Sequence, residues 1–541
     1  MAVAGKSKKK SASSKGSKKS ASSGATSPLK LSPRAVLLTS LLAGGILGLS
    51  APGFDQWYLA WFALSPFFLL IVSAKSKGAA FLRGFVFALG YNLVYLTWYL
   101  KLHPLGWLGF NDFESILLAA AAWMIVATHQ ALITGIVALV IKVLPTTGGF
   151  LPAKVEDKWK LPALTVIPLL WVVLQNKILN APDFLGVPWT ALEYSQYKQL
   201  PILQIASIIG GIGLGALIVF VNLAIAQVLS TISEKAALKP IASPTRQIAF
   251  VDLLIAHVLV ISCLAFGFYR LTQAQPPADV PLSVVQGNIN IEMQKTQHAF
   301  TLSELVRHYG KLVSAVPPGL CIWTESAMPT YLKTEPALRE TLASLARSGR
   351  RDMIIGSLDR DFDGHPFNSA FAVGADGKLL EAVYHKRYLV PFGEYLPACC
   401  QNLPEWVRRL TNTPAGGGFA AGKVPVVLPV SGKSVAPLIC FETLSPELVS
   451  SSVRNGGELL VNLSDLAWFH ESMIGDQMVA FSVMRAVETD RYFVFAANTG
   501  PSAIIGPHGQ INSLSPLGRE AVLSGKVALR KDFTQFTLWF H

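Results

Sequence analysis

Hydrophobic positions along the chain follow two different patterns. Apolar segments recur at about 35–51, 56–74, 79–100, 115–141, 162–176, 200–230 and 249–269, separated by short polar connections. A helix needs about 20 residues to cross the hydrocarbon core of a bilayer, so this pattern predicts seven spanning helices. The fifth is the shortest and is interrupted by Pro168; the sixth carries Gly210, Gly211, Gly213 and Gly215, which predicts close packing against a neighbour. After residue 281 the pattern changes to short apolar and β-branched runs alternating with amphipathic stretches. Strands are predicted at Leu282–Val285, Leu320–Trp323, Met353–Gly356, Ala370–Val373, Val435–Ile439, Leu459–Asn462, Phe493–Ala496 and Ala503–Ile505, and helices near 298–315, 335–349, 443–455 and 475–490. Such alternation predicts α/β layers with the chemistry on loops at strand ends. The Gly- and Ala-rich stretch Thr413–Gly422 predicts a flexible lid.

Four parts follow: a tail at 1–34, a seven-helix membrane domain at 35–271, a water-facing α/β domain at 272–530 and a terminal segment at 531–541. The tail is built of Lys, Ser, Ala and Gly, too polar to bury a core, and is predicted to be disordered. Of the 541 residues 51% are hydrophobic and 15% charged, which excludes an ordinary soluble protein. The net charge of +13 does not imply a nucleic-acid partner, because much of it lies in the tail. The tail lysines fit either a topology signal or contact with anionic lipid.

Lysine and arginine also crowd the second, fourth and sixth connections (Lys75, Lys77, Arg83; Lys142, Lys154, Lys158, Lys160; Lys235, Lys239, Arg246). The first, third and fifth together carry Lys101, Lys177 and Lys198. Positive charge favours the cytoplasmic side, so the N-terminus is predicted inside and the α/β domain outside. The connection Gly186–Gln196, with Trp189 and Tyr194, reads either as an aromatic anchor at the interface or as a lip over which lipid reaches a site.

Three apolar runs end in functional side chains. Leu320 to Glu325 ends in an acid, Ala382 to Lys386 in an ammonium group and Ala436 to Cys440 in a thiol. The five cysteines do not form a disulfide framework; Cys263 lies in an apolar span, Cys321 on a predicted strand, and Cys399 and Cys400 in a loop. A cysteine attacks as thiolate and needs a base in reach. Glu325 is the candidate base. Lys386 and the Phe441 backbone N–H are candidate donors to the oxyanion formed on an acyl carbon. Each residue has a plainer role as well, since a cysteine at a strand end is often core and a Glu–Lys pair is often a salt bridge.

The flanks of these residues, Trp323–Pro329, His385–Glu394 and Pro437–Glu442, resemble the carbon–nitrogen hydrolase (nitrilase) superfamily. With seven spans in front, the whole chain is similar to the apolipoprotein N-acyltransferase family of the bacterial envelope. Val285–Asn288, Phe367–Ser369, Met484–Glu488, Asn498–Gly500, Ile505–Pro507 and the Trp189 connection add to the likeness. The resemblance implies a polytopic helical membrane domain followed by an αββα sandwich on the periplasmic face of the inner membrane, acting as a monomer. It implies a Glu325, Lys386, Cys440 triad that takes an acyl chain from a phospholipid as a thioester. The acceptor is the α-amine of a diacylglyceryl-cysteine at an apolipoprotein N-terminus. Glu394 matches a second carboxylate that orients Lys386, and Glu442 and Glu488 match further acids near the site. Trp468, Phe469 and Trp189 are expected to line the substrate groove. No metal and no cofactor are implied.

The chain departs from the family in three places, one being the fifth span, where Gln175 and Asn176 stand in place of the family's charged residues. Leu463–His470 has an extra residue before Ala467 and a histidine in place of glycine, which bears on the acyl groove. The family's last spanning helix has no counterpart in Thr534–His541, so seven spans are expected rather than eight, with this end lying in the interface. Two other activities use the same motifs: a membrane-tethered amidase, in which water finishes the thioester, and an inactive scaffold that binds lipoproteins.

Overall fold

The computed structural model describes residues 32–147, 153–155, 158–174, 188–232, 246–296, 299–397 and 418–540. The basic tail up to residue 31, Cys399, Cys400 and the first half of the Gly/Ala-rich loop, 413–417, lie outside the described residues.

The first half is helical. Its helices are α1 (Pro33–Gly48), α2 (Ser65–Val72), α3 (Lys77–Tyr95), α4 (Asp112–Val143), α5 (Ala163–Val173), the short α6 (Leu200–Leu203), α7 (Ala206–Ile232) and α8 (Arg246–Leu271). Among the described residues, α3, α4, α7 and α8 are long and apolar enough to cross a membrane, while α1, the stretch Trp57–Val72 and α5 are shorter. Capping sets the start of α4: the Asn111 side chain accepts the Glu114 N–H while Glu114 returns to the Asn111 N–H. A small sheet of β1 (Thr146–Thr147), β2 (Ala153–Val155) and β3 (Lys158–Pro162) follows it.

The second apolar segment, expected as one span over 56–74, is divided into a 3₁₀ turn at Trp57–Trp61 and α2. The physical reason is Asn222 on α7. Its amide donates to the Ala60 carbonyl at 2.8 Å and accepts the Leu64 N–H at 3.0 Å. Backbone groups freed by the break are thereby satisfied inside the apolar region, as they must be. Close packing of α1 on α3 depends on glycine, because a Cβ on Gly44 would lie 1.8 Å from the Phe87 carbonyl oxygen.

The second half is a four-layer sandwich. One sheet holds β16 (Ala521–Val527), β4 (Val280–Gln286), β5 (Gly319–Trp323), β7 (Arg351–Arg360), β8 (Pro366–Val373) and β9 (Tyr384–His385) in that order, with β6 (Met328–Tyr331) beside β7. The other runs β10 (Leu428–Val430), β11 (Lys433–Ile439), β12 (Leu459–Ser464), β13 (Phe493–Ala497), β14 (Ala503–Ile505) and β15 (Ile511–Leu514). Side chains alternate across each strand. Leu282, Val284, Ile322, Val461, Leu463 and Val494 fill the space between the sheets. The outer face of the first sheet packs on α10 (Leu302–Val313) and α11 (Pro336–Gly349), which follow the short α9 (Ile291–Lys295). The outer face of the second packs on α12 (Pro446–Arg454) and α13 (Ile474–Thr489).

The helical and sandwich halves share one core. Leu203, Leu214 and Ile218 belong to the same apolar cluster as Met478, Phe481 and Met484. At Gly210 (φ +71°) α7 is broken, and the freed N–H of Gly211 donates to Glu488 on α13 at 2.7 Å. The terminal helix α14 (Gln535–Trp539) presses Phe536 against Gly210, so close that a Cβ there would lie 2.4 Å from the ring. Arg270, at the end of α8, donates to Asp490 at 2.7 Å.

Candidate active site

Three strand ends converge. Glu325 follows β5, Lys386 follows β9, and Cys440 opens a 3₁₀ turn directly after β11 with a left-handed φ of 53°. That strained turn is held from below by Asn462 on β12, whose amide donates to the Cys440 carbonyl at 2.9 Å. Glu442, fully buried, ties the turn to the lysine strand. It accepts the Ile439 N–H at 2.6 Å, the Tyr384 hydroxyl at 2.7 Å, and the Arg387 and Tyr388 N–H groups at 2.5 and 3.1 Å. Its place is therefore that of a staple between the thiol and ammonium elements.

Lys386 lies among carboxylates. Its Nζ is 2.8 Å from Glu394 Oε1 and 3.2 Å from Glu325 Oε1, and the side chain is 1% exposed. The Asn368 amide donates to the same two oxygens at 3.0 and 2.8 Å. The second oxygen of Glu325 accepts the Asp465 N–H at 2.9 Å, and that of Glu394 accepts the Val390 N–H at 2.8 Å. Both acids are thus fixed in direction.

Burial decides the electrostatics. It acts against the Lys386 charge, but Glu325, Glu394 and Cys440 outweigh it and hold the ammonium above the ordinary lysine range. Burial raises Glu325, with Lys386 opposing and Glu394 adding. The Cys440 thiol is pushed far up, first by burial and then by Glu325, with Lys386 acting the other way. The thiol is therefore protonated at rest beside a carboxylate with raised proton affinity and a permanent cation. Such a set is chemically able to move a proton from sulfur to a carboxylate when an acyl carbon is presented.

Phe441, next to Cys440, belongs to an aromatic cluster shared with the helical half. Trp189 sits 5.0 Å from Phe441, 5.0 Å from Trp98 and 5.2 Å from Phe481, and Trp98 sits 5.0 Å from Phe469. The indole of Trp189 donates to Gln477, which donates to the Tyr95 carbonyl at 3.1 Å. Trp468 meets Trp107 edge to face, its ring 5.0 Å away. The structure thus brings together Glu325, Lys386, Cys440 and Glu394; Trp189 meets Phe441, the neighbour of Cys440, and Phe469 is joined to it through Trp98. Glu488 stands apart, engaged with Arg485 and Gly211.

Comparison with known proteins follows the same division of the chain. Residues 43–224 match the family profile described as apolipoprotein N-acyltransferase N-terminal domain, and residues 282–531 match the carbon–nitrogen hydrolase profile. The apolipoprotein N-acyltransferase of Geobacter metallireducens is 33% identical over 92% of this chain and 90% of its own length. That of Gloeobacter violaceus is 28% identical over 93% and 90%. The chain belongs to the apolipoprotein N-acyltransferase family. Among solved structures, the carbon–nitrogen hydrolase from Helicobacter pylori overlays 45% of this chain and 87% of its own, at 15% identity and a TM-score of 0.34.

Within this acyltransferase, sequence reasoning gave no role to Asn368, Asp465, Tyr384, Asn462 or Trp98. The signal for two of them was present, since Asn368 and Asn462 are amides inside otherwise apolar buried strands. A buried amide has to be hydrogen-bonded, and its partners here are the functional ones. The role of Asp465 runs through its backbone N–H, which sequence does not reveal. Among the described residues, one group has metal-ligand spacing, Asp361, Asp363 and His365; it lies in the turn between β7 and β8, with Asp363 and His365 exposed.

Proposed function

We propose that this chain transfers an acyl chain from a membrane phospholipid, through a thioester on Cys440, to the α-amine of the N-terminal diacylglyceryl-cysteine of apolipoproteins. The observation that carries the reading is the buried Lys386 ammonium held between Glu325 and Glu394 at 3.2 and 2.8 Å, beside Cys440, whose neighbour Phe441 meets Trp189 of the membrane half.

In the first step Glu325 takes the thiol proton and the sulfur attacks the ester carbonyl. Negative charge on the carbonyl oxygen is met by Lys386 and the Phe441 N–H. Collapse breaks the ester bond, and the departing glycerol oxygen takes the proton from Glu325, leaving the thioester and a lysophospholipid. In the second step Glu325 takes a proton from the attacking amine and the carbon–sulfur bond breaks. The proton returns to sulfur and the amide leaves. Both lipids occupy the same groove in turn, the ping-pong arrangement expected of a covalent route.

The charge asymmetry of the connections supports a cytoplasmic N-terminus and a catalytic domain on the periplasmic side of the bacterial inner membrane. Because both substrates are anchored there, embedding the enzyme beside them raises their effective concentration. The test is mass spectrometry of the full-length protein mixed with phospholipid and then with a diacylated lipopeptide. Acyl mass on Cys440 that moves to the lipopeptide amine is the expected result. Acyl mass that never forms on any lipid donor overturns it. Release of that mass to water in the presence of the lipopeptide points instead to an amidase.

A further inference from the structure

One face of α13 carries Gln477, Phe481, Arg485 and Glu488, spaced about a helical turn apart. Three of them meet the membrane half directly: Gln477 at Trp189, Phe481 at Tyr194 with rings 4.4 Å apart, and Glu488 at the Gly211 N–H. Arg485 lies among them and is 2% exposed. Its Nη2 donates to Glu488 Oε1 at 3.1 Å, and its Nε stands 3.0 Å from Glu488 Oε2, too poorly aligned for a hydrogen bond. Its Nη1 has no hydrogen-bond partner among the described residues.

Glu193 belongs to the same connection as Trp189 and lies within electrostatic range of that guanidinium. The side chain is 5% exposed. One oxygen turns to its own backbone N–H, and Oε2 has no partner among the described residues. Two carboxyl groups therefore share one arginine, which Glu488 already holds. The other titratable groups facing the cluster are Glu447 on α12, Tyr91 and Tyr95 on α3, and Tyr194 on the connection; α7 and α14 contribute none. None of these supplies a second positive charge.

A bare carboxylate oxygen buried without a donor is costly, so the docked arrangement is that of a protonated Glu193. We propose that Glu193 is a positioning residue whose neutral form lets the Trp189 segment stay docked on α13, and whose ionisation frees that segment through competition for Arg485. An ionised Glu193 draws the guanidinium from Glu488, loosens the hold on Gly211, and shifts Trp189 away from Phe441, the neighbour of Cys440. Burial, with Glu488 adding and Arg485 opposing, pushes Glu193 up to about 7, and Glu488 lies up at about 6. The change is thus expected near neutral pH.

The experiment compares full-length wild type with Glu193→Gln, an uncharged mimic of the acid, in phospholipid nanodiscs between about pH 6 and about pH 8.5, either side of the expected break. Hydrogen exchange of residues 189–196, corrected for intrinsic rates, is expected to rise with pH in wild type and to stay flat in the variant. Glu193→Ala, which removes both oxygens, is expected to give the same flat profile if the glutamine variant assembles poorly. Parallel profiles in wild type and variants overturn the proposal. KM for phospholipid is expected to rise in wild type by at most about tenfold per pH unit above the break, with kcat profiles coincident between wild type and variant. The KM arm rests on Trp189 lining the groove, and the exchange arm does not. Exchange that follows pH with an unchanging KM keeps the latch and removes Trp189 from the groove.

Discussion

The Tyr384 hydroxyl donates to the Glu442 carboxylate at 2.7 Å, joining the strand that ends in Lys386 to the turn that begins with Cys440. Glu442→Gln replaces one acceptor oxygen by a donor facing backbone N–H groups, leaving buried donors unsatisfied at about 1–3 kcal/mol each. Turnover is expected to fall at least tenfold, together with thermal stability. Tyr384→Phe removes a single bond to a charged group and is expected to cost about 1.5–3 kcal/mol. Thermal unfolding in detergent checks the ranking; equal behaviour of the two variants contradicts the staple.

Asn368 bonds Glu325 and Glu394 at once. Asn368→Leu is expected to lower kcat by about 10- to 100-fold with little change in KM, since the base is no longer aimed while the lipid groove is untouched. Asn368→Asp adds a like charge and is expected to be worse than leucine. A variant that raises KM alone contradicts this role.

Serine at position 440 preserves shape and removes the easily ionised sulfur. Cys440→Ser is expected to insert and fold normally and to show neither turnover nor acyl mass. Substantial activity of the serine variant would remove the thioester from the mechanism.

Glu325 has to be unprotonated to act as base, and burial raises its proton affinity above that of an ordinary carboxyl group. The acid limb of kcat is therefore expected above the usual carboxylate range near ~4.3, with activity lost as pH falls through the raised value. Asn368 bonding lowers that value, so Asn368→Leu is expected to move the limb further up. For stability the sign is opposite. A carboxyl group with raised folded-state affinity favours folding when protonated, and that contribution fades as pH rises. A limb at an ordinary carboxylate position counts against Glu325 as the base.

Gly210 combines a φ of +71° with a Phe536 ring where a Cβ would stand. Gly210→Ala is expected to destabilise by about 1–3 kcal/mol, and Phe536→Ala to relieve the clash without restoring the backbone angle. Melting temperatures of the single and double variants test this through their non-additivity.

The sandwich was legible because its strands are short apolar runs with one chemical group at the end. Leu320–Trp323 and Val435–Ile439 fall inside β5 and β11, and Glu325 and Cys440 stand just past them. Edge strands such as β6 and β15 were not, being short and half polar, with Met-Pro-Thr-Tyr and Ile-Asn-Ser-Leu as their sequences. Contacts between distant strands were also hidden. Asn368 reaches Glu325 because β8 pairs with β7 in one particular register, a property of the pairing rather than of either segment. The glycines of α7 signalled close packing, whereas the break at Gly210 follows from what presses on it from the sandwich side.

One consequence follows from the apolar cluster common to both halves. Met478, Phe481 and Met484, each with no exposed surface to speak of, are covered by the helical half rather than by the sandwich alone. A genetic truncation that keeps only the hydrolase-like portion would bare this greasy underside to water and aggregate, whatever the integrity of its sheets. The catalyst and its anchor are in that sense a single folding unit.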